Sequence, residues 1–363
     1  MSEENFIVSA LKYRPSEWDA VVGQKTITTT LKQAIETNQL AKAYLFCGPR
    51  GVGKTTIARI FAKSINKSIG SAQDDFSYNI FELDAASNNS VDDIRNITDQ
   101  VRIPPQIGDY KVHIIDEVHM LSQSAFNAFL KTLEEPPKHA VFILATTEKH
   151  KIIPTILSRC QVYDFSRITI NDIADHLKMI ADKENVKTDY QALLVIAEKA
   201  DGALRDALSL FDQMVNFCNK DITYDAVIKN LNILDHEYFF KMTQSFNEND
   251  IHSCLLLFNE ILLNGFDGQL FLNGLGNHMR NLLVCKDVST LSLLECSDAV
   301  KEKYQEQCAL IKPKDIVDSL NIIGEADVQY KISKNQRLHV ELTLMKLASL
   351  NLSAEKKKSI NLK

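Results

Sequence analysis

Residues 48–55 constrain the fold of this chain more than any other stretch. They follow the pattern G-x-x-x-x-G-K-T, and with the next residue the segment is Gly48, Pro49, Arg50, Gly51, Val52, Gly53, Lys54, Thr55 and Thr56. An apolar run at 43–47 precedes the pattern, and apolar residues at helical spacing follow it. A strand, a glycine-rich loop and a helix in this order form a phosphate-binding loop. The sequence therefore predicts a site for the phosphates of a nucleotide.

The residue types in this loop suit a triphosphate. Glycines allow backbone N–H groups to turn toward phosphate oxygens, and the N-terminus of the following helix adds a partial positive charge. We expect Lys54 to contact the β- and γ-phosphates, and the hydroxyl of Thr55 to ligate Mg²⁺. The alternative is a chance glycine-rich turn, which the agreement of strand, spacing and helix disfavours.

Composition narrows the class of protein. A hydrophobic content of 45% is ordinary for a soluble globular chain, and no apolar run is long enough to span a membrane. The acidic N-terminus lacks the apolar core of a secretory signal. The seven cysteines are scattered without a C-x-x-C pair, so we predict reduced thiols in a cytoplasmic protein. A net charge of −6 does not indicate a nucleic-acid binder, although a local basic face stays possible.

Strand and helix patterns alternate through the first half of the chain. We predict five strands, at 43–47, 79–83, 111–115, 140–145 and 161–165. This alternation predicts a parallel sheet covered by helices on both faces. Seven of the eight prolines lie at or before Pro154, so the second half is predicted to be mostly helical. The fold class is therefore α/β followed by all-α.

Domain boundaries are placed where these patterns change. Capping-box patterns at 90–93 and 169–172 predict helix starts, and the second of them opens the helical part. We predict four segments: an α/β domain at 1–167, a small helical domain at 168–232, a larger helical domain at 233–352 and a polar tail at 353–363.

Two acids end the predicted strand at 111–115. Asp116 is suited to hold Mg²⁺ through water, and Glu117 to polarise the water that attacks a γ-phosphate. The carboxyl ends of parallel strands share one edge of the sheet, which places both acids beside the phosphate loop. At the end of the next strand, the hydroxyl of Thr146 or Thr147 is a candidate contact for the γ-phosphate, with a turn cap as the alternative.

Two arginines remain ambiguous on spacing alone. Arg159 just precedes the last predicted strand, and Arg205 starts a helix in the second domain. Arg205 either reaches back to the nucleotide or pairs with Asp201 or Asp206. Arg159 is either a functional residue or an ordinary surface residue.

Several motifs occur together in one order along the chain. They are Y-R-P at 13–15, V-V-G-Q at 21–24, the phosphate loop, I-D-E-V-H-M-L at 115–121, L-K-T-L-E-E-P-P at 130–137, A-T-T at 145–147, S-R-C at 158–160 and L-R-D at 204–206. Over about residues 8–350 this combination resembles the bacterial DNA polymerase III gamma/tau subunits, the clamp-loader ATPases. The S-R-C element is particular to clamp loaders among AAA+ ATPases.

The resemblance implies an architecture and an activity. The architecture is an AAA+ P-loop ATPase domain, a helical lid and a helical collar that assembles a pentamer with delta, delta-prime and further gamma/tau copies. The activity is the use of ATP and Mg²⁺ to load the sliding clamp onto primer-template DNA during replication. Polymerase chemistry would belong to another chain of the holoenzyme.

The resemblance also assigns roles to individual residues. Thr147 would be the first sensor, Arg205 the second sensor, and Arg159 an arginine finger for the neighbouring subunit. A further set would border the adenine: Tyr13, Arg14, Pro15 and Val22.

The chain departs from the family pattern in one interval. The family usually carries four zinc-binding cysteines between the helix after the phosphate loop and the second strand, whereas residues 64–78 contain none. We therefore predict that zinc is absent. The chain also ends after the collar region, so we expect it to lack the extension by which tau reaches polymerase and helicase.

Two other functions stay open. A non-hydrolysing scaffold of the delta-prime kind would keep the fold, but the intact Lys54 and Asp116–Glu117 disfavour it. Another AAA+ DNA-remodelling motor is disfavoured by the S-R-C element and the collar-like region. Residues that contact DNA are not defined by sequence; Arg95, Arg102 and Lys111 are weak candidates, with solvated surface charges as the equal alternative.

Overall fold

The computed structural model of the protein describes residues 8–67, 76–106, 108–231, 233–294, 296 and 298–350. The chain divides into two units, Met1–Asp221 and Ile222–Lys363. The cysteine-free interval 64–78 lies partly outside the described residues, and the predicted polar tail lies entirely outside them. Within the described ranges, no helix is both long enough and apolar enough to cross a membrane. All seven cysteines are free thiols.

The first unit contains a five-stranded parallel sheet. Its strands are β1 (Ala43–Cys47), β2 (Ile80–Asp84), β3 (Lys111–Asp116), β4 (Ala140–Thr146) and β5 (Gln161–Asp164). Their order in the sheet is β2-β3-β4-β1-β5. All five predicted strands are confirmed, with bounds that differ by at most one residue at either end.

Helices accompany this sheet and follow it along the chain. They are α1 (Ser9–Lys12), α2 (Lys25–Glu36), α3 (Lys54–Lys67), α4 (Val91–Val101), α5 (Gln123–Glu134), α6 (Pro154–Leu157), α7 (Ile170–Lys183), α8 (Tyr190–Lys199) and α9 (Leu204–Phe217). Side-chain caps define the starts of several of them. Ser90 and Asp93 form the predicted capping box of α4, and the hydroxyl of Thr169 accepts a hydrogen bond from the Asp172 N–H at the start of α7.

The central strands are buried on both faces, as expected for a parallel sheet between helices. Every residue of β1 and β4 is buried. Successive side chains of β1 enter different clusters because a strand alternates its faces. Leu45 packs in a cluster with Phe129, whereas Tyr44 and Phe46 pack in another with Phe61. The sheet is therefore the middle of three layers, and its edge at the carboxyl ends is left for loops.

Short strands and helices complete the chain. The strands β6 (Lys187–Thr188) and β7 (Asp221–Ile222) form a two-stranded sheet. The second unit contains α10 (Tyr224–Asn230), α11 (His236–Asn247), α12 (Ile251–Leu263), α13 (Gly268–Val284), α14 (Asp298–Leu310), α15 (Pro313–Tyr330) and α16 (Gln336–Ala348). Its core includes the fully buried Phe258, Phe271 and Leu275. The predicted all-α character of the second half is confirmed, whereas the predicted domain boundaries stay a prediction.

Candidate nucleotide-binding site

The phosphate loop connects the end of β1 to the first turn of α3. Its backbone turns through positive φ angles of 147° at Gly48 and 78° at Gly51. A Cβ at Gly48 would lie 2.5 Å from the carbonyl oxygen of Phe165, and one at Gly51 would lie 2.9 Å from the Cβ of Ala203. Both positions therefore require glycine, for their backbone angles as well as for space.

Lys54 folds back over this loop from the first residue of α3. Its Nζ donates hydrogen bonds to the carbonyl oxygens of Gly48 (2.8 Å) and Pro49 (2.7 Å). The residue is only 6% exposed, and burial lowers the pKa of its ammonium group. The predicted phosphate-binding lysine is thus held inside the loop, next to the backbone groups that would surround phosphates.

Thr55 and Asp116 meet at the edge of the sheet. The Thr55 hydroxyl donates to Asp116 Oδ2 at 2.7 Å, and Asp116 Oδ1 accepts from the backbone N–H of Glu117 at 3.0 Å. A hydroxyl oxygen beside a carboxylate is the kind of oxygen donor set that Mg²⁺ prefers, with phosphate oxygens and water completing its octahedron. These two residues therefore fit the metal predicted for them.

Glu117 adopts a left-handed backbone conformation directly after β3, with φ 48° and ψ 46°. Such a conformation costs about 1–3 kcal/mol for a residue other than glycine and tends to occur at functional sites. The carboxylate Oε2 accepts hydrogen bonds from the Thr147 N–H (3.2 Å) and the Thr147 hydroxyl (3.0 Å). The backbone turn thus directs Glu117 toward the end of β4.

The structure distinguishes the two candidate threonines at the end of β4. Thr147 contacts Glu117, as described above. Thr146 is fully buried, and its Oγ1 accepts the Glu148 N–H at 3.0 Å and lies 3.1 Å from His119 Nδ1. Thr147 is therefore the threonine that contacts the paired acids. Thr146 instead contacts Glu148 and His119.

Positive charge is concentrated beside the phosphate loop. The Nε of Arg14 donates to the Thr56 hydroxyl at 3.3 Å. Burial lowers the pKa of Arg14 most, and the positive charges of Arg59 and Arg205 lower it further. Two other guanidinium groups thus repel that of Arg14, while the carboxylates of Glu82 and Asp116 attract it, and Arg59 also pairs with Glu82. A polyanionic ligand would relieve this repulsion.

Arg205 belongs to this region rather than to an ion pair. Its backbone N–H lies 3.5 Å from the Gly51 carbonyl oxygen in the phosphate loop. Asp201, one of the two suggested partners, pairs with Arg167 instead. Within the described part of the chain, the Arg205 guanidinium makes no hydrogen bond or ion pair with Asp201 or Asp206.

The predicted adenine-side segment is anchored at several points. The Tyr13 hydroxyl donates to Glu184 in the turn after α7, and Ser9 donates to Asp212 of α9. Pro15 and Val22 lie between this anchor and Gln24, whose side-chain amide donates to the Ser166 carbonyl oxygen at 2.6 Å. The contacts of Tyr13, Arg14, Pro15 and Val22 with adenine stay predictions.

Arg159 is not part of this cluster. Its Nη2 donates to Glu134 Oε1 at 2.7 Å and its Nη1 to the Thr155 carbonyl oxygen at 2.7 Å. Its side chain is 33% exposed. In the described ranges, none of its polar contacts involves a residue of the phosphate loop.

Sequence reasoning missed His119, which lies beside the paired acids. His119, two residues after Glu117, is 7% exposed in its side chain and lies within 3.3 Å of both Glu117 and Glu148. Its position in the segment after the paired acids was the available signal.

Lys111 was a candidate for DNA contact, but it is buried at the start of β3 and its Nζ donates to the Gln100 carbonyl oxygen at 2.7 Å. Lys111 is therefore a structural residue.

Comparisons with known proteins identify the family. A model described as "DNA polymerase III, delta subunit" matches residues 23–169, and one described as "DNA polymerase III clamp loader subunit, ATPase lid domain" matches residues 172–220. The gamma subunit of DNA polymerase III from Buchnera aphidicola subsp. Acyrthosiphon pisum is 34% identical over 95% of this chain and 99% of its own length. The chain belongs to the DNA polymerase III gamma/tau subunit family.

Longer relatives match as well. The tau subunit of Bacillus subtilis is 38% identical over 92% of this chain, and the tau subunit of Escherichia coli is 35% identical over 94%. The chain spans 62% and 55% of the length of these two relatives. The RuvB Holliday junction branch migration motor of Thermotoga maritima matches with a TM-score of 0.50 over 64% of this chain and 78% of its own, at 22% identity. This last likeness concerns the fold alone.

Gly51→Ala tests the geometry of the phosphate loop. The added Cβ would meet Ala203 at 2.9 Å and force an alanine to adopt a φ of 78°. Strain of about 1–3 kcal/mol should lower nucleotide affinity roughly tenfold or more, as measured with a fluorescent ATP analogue. Gly324→Ala is the control, since a Cβ there meets no atom within 4 Å and the residue lies within a helix. Parent-like affinity in Gly51→Ala would contradict this account of the loop.

Proposed function

We propose that this chain is an ATP-driven motor subunit of the bacterial replicative clamp loader, and that it binds and hydrolyses ATP to load the sliding clamp onto primer-template DNA. The observation that carries the proposal is the junction at the ends of β1, β3 and β4. There Lys54 lies within the phosphate loop, Thr55 is hydrogen-bonded to Asp116, and Glu117 to Thr147. Membership of the gamma/tau family supports the same activity.

Each residue has a role in this proposal. The loop residues 48–56 bind the triphosphate, and Lys54 moves its hydrogen bonds from loop carbonyls to phosphate oxygens. Thr55 and Asp116 hold Mg²⁺, which when bound neutralises charge on the β- and γ-phosphates. Glu117 polarises the attacking water, and Thr147 orients that carboxylate. Arg205 and Arg14 offset the charge of the nucleotide from the lid and adenine sides.

Membership of the gamma/tau family supports the proposed partners. We place the chain in a pentamer with delta, delta-prime and further gamma/tau copies, acting on the sliding clamp and primed DNA in the cytoplasm. The scaffold alternative of the delta-prime kind conflicts with the intact Lys54, Thr55 and Asp116. The branch-migration alternative is favoured only by a fold likeness, whereas gamma/tau relatives match nearly the whole chain.

Two substitutions separate binding from hydrolysis. Lys54→Ala removes the ammonium from the loop and should abolish tight ATP binding. Glu117→Gln should keep binding but reduce turnover by roughly 10²-fold or more, because the amide cannot act as the base. Equilibrium binding and phosphate release measure the two steps. Lys63→Ala and Glu36→Gln, exposed positions on α3 and α2, are the matched controls. Parent-rate hydrolysis by Glu117→Gln would show that another residue is the base.

Zinc is proposed to be absent because residues 64–78 offer no cysteine and no histidine for tetrahedral ligation. Elemental analysis of the purified protein should find no stoichiometric zinc. Zinc that stays bound at one equivalent after exhaustive dialysis would overturn this part of the proposal.

Arg159 is proposed to act on the neighbouring subunit, where a guanidinium offsets the charge of phosphoryl transfer. In the single chain Arg159 forms an ion pair with the exposed Glu134. In the assembly, the nucleotide of the neighbouring subunit would compete with Glu134 for the guanidinium. Arg159→Ala should leave ATP binding at its own site intact. It should slow ATP turnover at the neighbouring subunit's site by roughly 10³-fold. Arg159→Lys should recover little, because lysine lacks the planar fork.

Mixed rings make this prediction sharper. A ring of Arg159→Ala and Lys54→Ala subunits contains some interfaces at which an intact phosphate loop faces an intact finger. Partial ATPase activity should therefore return on mixing two inactive proteins. Rings that form normally yet stay inactive would contradict a finger acting between subunits.

A further inference from the structure

The imidazole of His119 lies beside Glu117, the proposed base, and both of its ring nitrogens contact oxygen atoms. Its Nε2 lies 3.0 Å from Glu148 Oε2, and its Nδ1 lies 3.1 Å from Thr146 Oγ1. Thr146 Oγ1 in turn accepts the backbone N–H of Glu148 at 3.0 Å. The side chain is 7% exposed, so these partners replace water around the ring.

Both ring nitrogens of His119 contact oxygen atoms at the end of β4 and in the loop after it. An ionised carboxylate only accepts, so the Nε2 that faces Glu148 carries the hydrogen. The Nδ1 faces two oxygens, Thr146 Oγ1 at 3.1 Å and Glu117 Oε2 at 3.3 Å, and the Thr146 oxygen also accepts the Glu148 N–H. The hydrogen bonds form a closed circuit, from the Glu148 N–H through Thr146 and His119 to the Glu148 carboxylate. A circuit of this kind fixes the plane of the imidazole.

The fixed ring borders the carboxylate of Glu117. Its Nδ1 lies 3.3 Å from Glu117 Oε2, the same oxygen that Thr147 binds through its N–H and hydroxyl. Oε2 is therefore enclosed by two donors and one ring edge. The ring fills the space into which this carboxylate would otherwise rotate, toward Thr146 and Glu148.

We propose that His119 is a positioning residue for Glu117, held in place by Glu148. This inference rests on the proposed function of Glu117 as the base and adds how its carboxylate is aimed. Glu148 makes no contact with Glu117 in the described residues and acts through the imidazole. A base displaced by about 1 Å loses up to about 10²-fold in rate, so the circuit affects turnover and not nucleotide binding.

The first test is His119→Ala in the assembled loader with clamp and primed DNA. Turnover at saturating ATP should fall by roughly 10–100-fold, while the dissociation constant for ATP stays within about twofold of the parent. His119→Asn places an amide near the former Nδ1 and should restore part of the rate. His150→Ala is the matched control, since that histidine is 76% exposed in the same loop. Parent-like turnover in His119→Ala would overturn the proposal.

The second test is a double-mutant cycle with Glu148→Ala. Glu148 should matter only through His119, so the double variant should turn over at the rate of His119→Ala alone. Lys151→Ala and His150→Ala control for the other two ion pairs of Glu148 and should behave as the parent. Additive losses would show that Glu148 acts independently and would contradict the circuit. If His119→Ala fails to fold, Glu148→Ala, at a half-buried loop carboxylate, decides by itself: its parent-like turnover overturns the proposal.

The proposed function and this inference fail in different ways. Parent-rate hydrolysis by Glu117→Gln would remove the base itself, whatever His119 does. An inactive Glu117→Gln together with a parent-like His119→Ala would leave the function in place and reject only the positioning role.

Discussion

The hydrogen bond between Thr55 and Asp116 is the contact on which the site depends. It joins the first turn of α3 to the end of β3, although β4 lies between β1 and β3 in the sheet. The order β3-β4-β1 therefore brings three carboxyl ends side by side, with the phosphate loop, the paired acids and Thr147 on neighbouring strands. Ligands of open α/β sheets bind at such an edge.

Electrostatics at this edge differ from the charge of the whole chain. The net charge of the chain is −6. At this edge, however, burial lowers the pKa of Arg14, and the positive charges of Arg59 and Arg205 lower it further. Lys54 adds a buried ammonium whose hydrogen bonds go to loop carbonyls. Like charges held near one another favour a polyanionic ligand, although Glu82 already pairs with Arg59.

Local patterns predicted the parts of the structure that depend on local physics. The five strands, the phosphate loop and the caps of α4 and α7 follow from apolar periodicity and side-chain chemistry within a few residues. Spacing could not decide between an ion pair and a nucleotide contact for Arg205, because the answer depends on how α9 meets the phosphate loop. His119 was missed for the same reason, since its partners Thr146 and Glu148 lie on the neighbouring strand end. Lys111 was wrong as a surface candidate because a long side chain can turn inward to carbonyl oxygens.

We propose that ATP turnover by this chain requires its assembly with neighbouring subunits. In the single chain Glu117, Thr147 and Lys54 are in place, whereas Arg159 is paired with Glu134. The most direct measurement is steady-state ATP hydrolysis by the isolated chain and by the chain assembled with delta and delta-prime, each with and without clamp and primed DNA. We expect the isolated chain to bind ATP but to be nearly inactive, and assembly with clamp and DNA to raise turnover strongly. An isolated chain that hydrolyses ATP as fast as the full assembly would contradict this proposal.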